Sequence, residues 1–240
     1  MNFNWINFVK ATPFFQNLIS SIVTKVPAFF DHNVAKFIAL KKAFFLTALD
    51  KIQGDYLEFG VFTGSSFVCA MKSHRSCQKI GNVKTDFYGF DSFKGFGKVA
   101  DHDRHNFYTD DIFKVNGDKV IKNIYRNGRG LMVKIVKGFF EDTIADKDCR
   151  KDFNINKIRC VLIDCDLKGP TWLALNFLKN GLQQGTIIVL DDFFSFGGDT
   201  TRGVAGAFFE FCQNNPQLHF RRIFDYGYGG VAYVLSEIKN

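Results

Sequence analysis

The six cysteines, Cys69, Cys77, Cys149, Cys160, Cys165 and Cys212, form no CxxC pair and no Cys/His finger spacing, so neither a structural zinc nor a disulfide framework is expected. A reducing, cytoplasmic setting matches that pattern. No apolar run approaches the ~18 residues that a membrane span requires, and the opening MNFNWINFVKATPFF lacks a basic region ahead of its apolar residues. A soluble, unprocessed chain with no membrane partner is therefore expected. GxSxG and HExxH are both missing, which leaves hydrolase chemistry without its usual anchors. The GxGxxG dinucleotide turn is missing too, because Phe62 stands where its second glycine belongs, and Gly97-Lys98 is followed by Val99 rather than the hydroxyl residue of a Walker loop. Nor is there a D/N-P-P-Y/F element of the kind used on flipped adenines. Basic residues outnumber acidic ones by 31 to 24, a net +7, yet no block of five like charges occurs. Charge scattered in this way reads as a solvated basic surface, not as a nucleic-acid groove.

What remains is an ordinary globular composition: 240 residues, 46% hydrophobic and 23% charged, enough for a sizeable core in one α/β domain with a terminal extension. Short β-rich runs occur at Tyr56 to Val61, Phe87 to Asp91, Leu131 to Gly138, Ile158 to Asp164, Thr186 to Leu190, His219 to Asp225 and Val231 to Leu235. Helix-like stretches separate the first five: Ser65 to Ser76, a broken one from Asp111 to Asn127, Asp142 to Lys151, and Pro170 to Leu182. Such alternation predicts a mostly parallel sheet with helices on both faces. After a helix near Val204 to Gln213, HFRRIFDYGYGGVAYVL reads as two strands joined by a glycine-rich turn, so an antiparallel hairpin should close the sheet. Residues 1–50 form an N-terminal helical extension to the domain at 51–240. Val34, Phe37, Ile38, Phe45 and Leu49 repeat there at helical spacing, as a lid, a dimer contact or sheet cover would.

Ligands of open α/β sheets bind outside the carboxyl ends of the strands. At the first such end stands Glu58-Phe-Gly60-Val-Phe-Thr-Gly64-Ser-Ser66, where the two glycines permit a tight turn and the following helix offers free N–H groups. Asp91 closes the second strand, placed to take ribose hydroxyls or to cap a helix. After the third comes Gly138-Phe139-Phe140, an aromatic that packs either on an adenine ring or, in a chain with 30 phenylalanines, in the core. Asp164-Cys-Asp166 and Asp191-Asp192 end the fourth and fifth strands. Carboxylates gathered so closely call for a cation, and hard oxygen donors select Mg²⁺ or Ca²⁺ over zinc. His102 and His105 lie in one polar loop and offer a weaker second site, while His32, His74 and His219 stand alone.

EFGVFTGSSF, FYGFDSFKGF, KGFFEDT, LIDCDLKGPT and VLDDFF, in that order, resemble the macrocin O-methyltransferase (TylF) family over about residues 50–235. The resemblance implies a class I methyltransferase (Rossmann-like) fold with seven strands, the last antiparallel, and S-adenosylmethionine as methyl donor. It implies a sugar or sugar-containing small molecule as acceptor. Carried over residue by residue, Asp164, Asp191 and Asp192 would hold Mg²⁺ and Asp166 would be the general base. Glu58, Gly60, Gly64 and Ser66 would form the methionine side of the cofactor site, Asp91 the ribose contact, and Phe139 the aromatic. Where the family usually reads DLYEST this chain reads Asp166-Leu-Lys168-Gly-Pro170-Thr, so a lysine replaces a tyrosine near the acceptor. Two further readings compete: a metal-dependent methyltransferase for catechol-like phenols, and a methyltransferase-like protein that binds but transfers nothing.

Overall fold

Two apolar runs, CVLID and TIIVL, set the middle of the molecule. In the computed structural model, which describes residues 12–97, 99–108, 113–145 and 152–239, they become β4 (Ile158–Ile163) and β5 (Ile187–Leu190), and every residue of both is buried. Strands covered on two faces need no polar alternation, which is why these read as continuous apolar stretches. β1 (Asp55–Phe59), β2 (Phe87–Asp91) and β3 (Val133–Lys137) add to one side of β4, and the long hairpin β6 (Leu218–Tyr226) and β7 (Gly230–Ile238) adds to β5. The sheet order is β3-β2-β1-β4-β5-β7-β6, with β7 antiparallel to both of its neighbours. That is the seven-stranded sheet and terminal hairpin expected from the sequence.

Helices flank the sheet on both faces. α3 (Ser65–Gly81) follows β1, α4 (Gly117–Asn127) follows β2, the single turn α5 (Phe140–Thr143) follows β3, α6 (Lys168–Leu178) follows β4 and α7 (Gly203–Asn214) follows β5. The expected helix from Asp111 starts later, at Gly117, with its N-cap Asn116 accepting the Lys119 N–H at 3.1 Å; positions 111 and 112 lie outside the described residues. Of the helix expected over Asp142 to Lys151, the described part is the single turn, and positions 146–151 lie outside. Phenylalanine fills both layers: Phe59 stacks on Phe90 at 4.9 Å on one face, and Phe44, Phe67 and Phe87 gather around Tyr56 on the other.

Before β1 come α1 (Pro13–Val23) and the 22-residue α2 (Ala28–Leu49). Of the expected stripe, Val34, Ile38, Phe45 and Leu49 lie on the outer face and Phe37 is half-buried, while the sheet is covered by the other face of α2, which buries Lys36, Ala39, Leu40, Ala43, Phe44, Thr47 and Ala48. Both faces of α2 are apolar, so spacing alone cannot choose, and the sheet takes the side with small residues that allow close approach. A Cβ on Gly81 of α3 would lie 2.2 Å from the Ala48 carbonyl oxygen, a measure of how tightly the two helices pack. Fully buried Arg159 of β4 fastens α2 to the sheet, donating to Thr47 Oγ1 at 2.7 Å, to the Phe44 carbonyl at 2.8 Å and to Thr85 Oγ1 at 3.1 Å. α1 buries none of its residues. Among the described residues no helix is long and apolar enough to cross a membrane.

Candidate active site

The strand ladder itself brings the candidate residues together. Past the last paired residue of β1, Gly60 N–H donates to the Phe90 carbonyl at 3.0 Å; Asp164 N–H donates to Phe59 at 2.8 Å, and Asp191 N–H to Ile163 at 2.9 Å. Gly60, Asp164 and Asp191 therefore sit side by side on neighbouring strand ends. They open onto a cavity of about 830 Å³, whose wall also includes Ser66, Asp91, Phe139, Asp166 and Asp192. Four of the strand-end turns around it hold a non-glycine residue in the left-handed region: Phe62, Phe93, Asp166 and Asp192, with φ of +47°, +57°, +61° and +49°. Aspartate tolerates this conformation and phenylalanine does so poorly, so strain is concentrated at the edge where chemistry would occur.

Asp91 is gripped by the backbone it faces. Its Oδ2 accepts the N–H groups of Val61 and Phe62, each at 2.7 Å, and its Oδ1 that of Phe93 at 2.6 Å. The carboxylate thus fixes the glycine turn while lining the cavity, and its remaining lone pairs are open to hydroxyls. Glu58 and Gly64, by contrast, are not brought to the cavity wall. Glu58 lies beneath it with no exposed surface, taking hydrogen bonds from the Tyr56 hydroxyl and, at 2.7 Å, from Ser66 Oγ. The reason is strand parity: Glu58 and Tyr56 point to the same sheet face, under α3. Gly64 faces the Ile124 and Val120 side chains of α4. Of the aromatic pair, Phe140 is buried edge-on to Phe59 at 5.8 Å, and both it and Phe139 contribute to the wall.

Burial raises the Glu58 carboxyl from 4.5 to about 7, against the two hydroxyls that favour its charge. An acid whose pKa is raised by folding contributes stability that is fully present below its unfolded pKa and is lost as pH climbs through the folded one. Glu58 therefore weakens the fold progressively between pH 4.5 and about 7. Glu58→Gln, which mimics the neutral form, should be more stable than the wild type at pH 8 by up to about 3 kcal/mol, and near wild type at pH 4.5. Urea denaturation at the two pH values checks this; a difference independent of pH would contradict it.

The carboxylate cluster contains a partner that the sequence motifs did not indicate. Oxygens of Asp164, Asp191 and Asp192 lie within 4.8 Å of one another, and the Lys36 ammonium from α2 reaches Asp164 Oδ2 at 2.6 Å and Asp191 Oδ2 at 2.5 Å. One turn earlier, His32 Nε2 lies 2.9 Å from Asp191 Oδ1 and its Nδ1 faces the Tyr228 N–H at 3.2 Å, which assigns the ring proton to Nε2. The Tyr226 hydroxyl donates to Asp191 Oδ1 at 2.9 Å. Burial alone would raise Asp191, but Lys36 and the His32 hydrogen bond hold it well below the usual carboxylate range. Burial lowers Lys36, and Asp164 and Asp191 more than reverse that, keeping it charged. Burial and then the neighbouring Asp192 push Asp166 up, and its carboxyl is hydrogen-bonded to that of Asp192.

A match to the macrocin-O-methyltransferase (TylF) family spans residues 35–214, three quarters of the chain. The chain belongs to the TylF family. Membership makes it an S-adenosylmethionine-dependent O-methyltransferase, the activity that the motifs imply. Solved structures agree on the class I methyltransferase fold. The O-methyltransferase NovP is similar with a TM-score of 0.66 at 17% identity, over 85% of this chain and 81% of its own. CalS11, a calicheamicin methyltransferase, gives 0.68 at 18%, over 90% and 85%. TomG from Streptomyces achromogenes, involved in tomaymycin synthesis and solved in complex with SAM, gives 0.53 at 14%, over 82% and 80%. No curated protein is a match for the chain.

The TylF match begins inside α2, one residue before Lys36, and so takes in a helix that the motif-based resemblance left out. The departure at Lys168 lies elsewhere: its ammonium pairs with Glu210 at 2.9 Å in a separate surface groove with Trp172 and Arg202. His105 packs between Tyr108 and Phe196, ring centroids 4.9 and 5.3 Å away, and its Nδ1 accepts the Phe107 N–H. The His102 side chain is outside the described residues. Tested against Mg²⁺, the donor set is of the right kind, hard and closely spaced. Two of its three carboxylates, Asp164 and Asp191, are nevertheless already bridged by an ammonium, so the arrangement as a whole does not fit the ion.

Proposed function

We propose that this TylF-family enzyme transfers the methyl group of S-adenosylmethionine to a hydroxyl of a sugar or sugar-containing small molecule. One observation carries it: the glycine turn, Asp91 and Asp166 share one cavity large enough for a cofactor with an acceptor beside it. CalS11 is a TDP-rhamnose 3'-O-methyltransferase, which supports a sugar acceptor. When bound, the cofactor supplies a methyl carbon already activated by its sulfonium. Gly60 lets the backbone approach, Ser66 and Asp91 hold polar groups and Phe139 offers an aromatic face. Glu58 acts from below by fixing Ser66, and Gly64 by seating α4. Asp166 accepts the acceptor's O–H proton. With the cofactor bound, the oxygen's electron pair would form the new C–O bond and the C–S pair would remain on sulfur, leaving a methyl ether, S-adenosylhomocysteine and neutral Asp166. The protein's share is in-line positioning and exclusion of water.

The resemblance assigns Mg²⁺ to Asp164, Asp191 and Asp192, but methyl transfer as written needs no ion there. Chelation of a catechol does need an ion at that point, and Lys36 counts against it. The exposed apolar residues Phe14, Ile19, Ile22 and Phe29 of α1 and α2 support a homodimer; sedimentation equilibrium tests it. The free thiols among the described residues support a cytoplasmic setting.

Titration calorimetry with S-adenosylmethionine, followed by product assay with a nucleotide-linked deoxysugar and with a catechol, tests the reading. Cofactor binding and S-adenosylhomocysteine release with the sugar alone are expected. No heat with the cofactor would overturn it, and turnover of the catechol alone would reassign the acceptor.

A further inference from the structure

We infer that Lys36 is the resident cation of the carboxylate cluster, standing where a divalent ion would otherwise bind, so that this enzyme works without one. The distances carry the inference. The Lys36 ammonium lies 2.6 Å from Asp164 Oδ2 and 2.5 Å from Asp191 Oδ2. Mg²⁺ binds carboxylate oxygens at roughly 2.0–2.1 Å, so an ion held by those same two oxygens would be in contact with the ammonium, positive against positive. Asp191 has no spare capacity either. Its two oxygens already receive Lys36, the Nε2 of His32 at 2.9 and 3.1 Å, and the Tyr226 hydroxyl at 2.9 Å.

The lysine is also held in place. Its side chain is 8% exposed, and it sits on the buried face of α2 between His32 and Leu40, at steps of four residues that keep all three on one side of the helix. The Arg159 bonds to Phe44 and Thr47 tie the same helix to β4 two turns further on. Four carboxylates, Asp164, Asp166, Asp191 and Asp192, meet at this edge, and one fixed ammonium bridges two of them, Asp164 and Asp191, as a bound ion otherwise would.

On the methyl-transfer reading above, on which this part rests, the ammonium has a catalytic use. It has three donors; two go to Asp164 and Asp191, and Lys36 lines the cavity, so the third is available to the acceptor oxygen. Positive charge would then stand beside that oxygen as its proton passes to Asp166, in the place where negative charge develops.

The test is a Mn²⁺ titration of the full, EDTA-treated chain, followed by electron paramagnetic resonance, with S-adenosylmethionine binding measured on the same samples. The wild type should show no stoichiometric Mn²⁺ site below millimolar concentration. Lys36→Met, similar in length and uncharged, should gain a site at least tenfold tighter, and its melting temperature should rise with added Mg²⁺ while that of the wild type does not. One tight Mn²⁺ site in the wild type, abolished by Asp191→Asn, would overturn the inference. So would a folded Lys36→Met that gains nothing. Should Lys36→Met not fold, the wild-type titration decides alone. Cofactor binding distinguishes the two failures: a wild type that binds both Mn²⁺ and S-adenosylmethionine sinks this inference and leaves methyl transfer standing, whereas one that binds neither sinks only the methyl-transfer reading.

Discussion

Replacing Asp166 with asparagine is expected to lower kcat by roughly 10²- to 10⁴-fold, the usual cost of losing a general base, while cofactor affinity stays within about threefold of wild type. Asp166 lies three residues past the end of β4, on the cavity wall, with φ +61°. Asparagine adopts that conformation at least as readily as aspartate, so the turn should survive and only the proton acceptor is lost. Burial and the Asp192 carboxyl beside it raise the proton affinity of Asp166, which makes it a better acceptor than a solvated carboxylate. The sign for activity follows. A base works when ionised, so the rate should rise with pH, with its midpoint above the ordinary aspartate value of 3.8. Stopped assays of S-adenosylhomocysteine release across pH check both points. If Asp166→Asn turned over at near wild-type rate, the base would have to be sought in Asp192, its hydrogen-bonded neighbour, since His105 is packed between two rings.

Strand ends were readable because they repeat a local chemical event: an apolar run stops and a carboxylate or glycine follows. Asp91, Asp164, Asp166, Asp191 and Asp192 were all found that way, and the ladder does bring them to one cavity. What was missed came from across the chain. Lys36 and His32 belong to α2, 128 and 159 residues from the aspartates they touch, and no motif joins them. A usable signal existed nonetheless. His32, Lys36, Leu40, Ala43 and Thr47 follow steps of 4, 4, 3 and 4, so the lysine interrupts a buried stripe instead of facing solvent. That stripe is obscured by the second apolar face, Val34, Ile38, Phe45 and Leu49, which is more hydrophobic but lies outside. Glu58 lies off the cavity wall for a different reason. A carboxylate before a glycine turn resembles a ligand, yet strand parity turns it under α3, toward Tyr56 and Ser66.

Gly60→Ala is expected to cost at least about 3 kcal/mol of stability and to abolish detectable cofactor binding, whereas Gly64→Ala should cost about 1 kcal/mol. Both glycines have left-handed backbones, with φ of +89° and +79°, so strain alone predicts similar penalties. The surroundings differ. A Cβ on Gly60 would lie 1.8 Å from the Asp164 carbonyl oxygen and 2.7 Å from its carbon, and backbone in the middle of a sheet cannot yield as a side chain can. The ends of β1 and β4 would have to separate by more than an ångström, displacing Asp164 where it meets Lys36 or opening the turn that Asp91 fixes. At Gly64 the nearest atoms, at 3.0 to 3.2 Å, are the side-chain tips of Ile124 and Val120, which can shift by a few tenths of an ångström. Urea denaturation gives the two stabilities and calorimetry the two cofactor affinities. Equal losses in the two variants would mean that backbone strain, and not the contact between β1 and β4, is what glycine relieves at this turn.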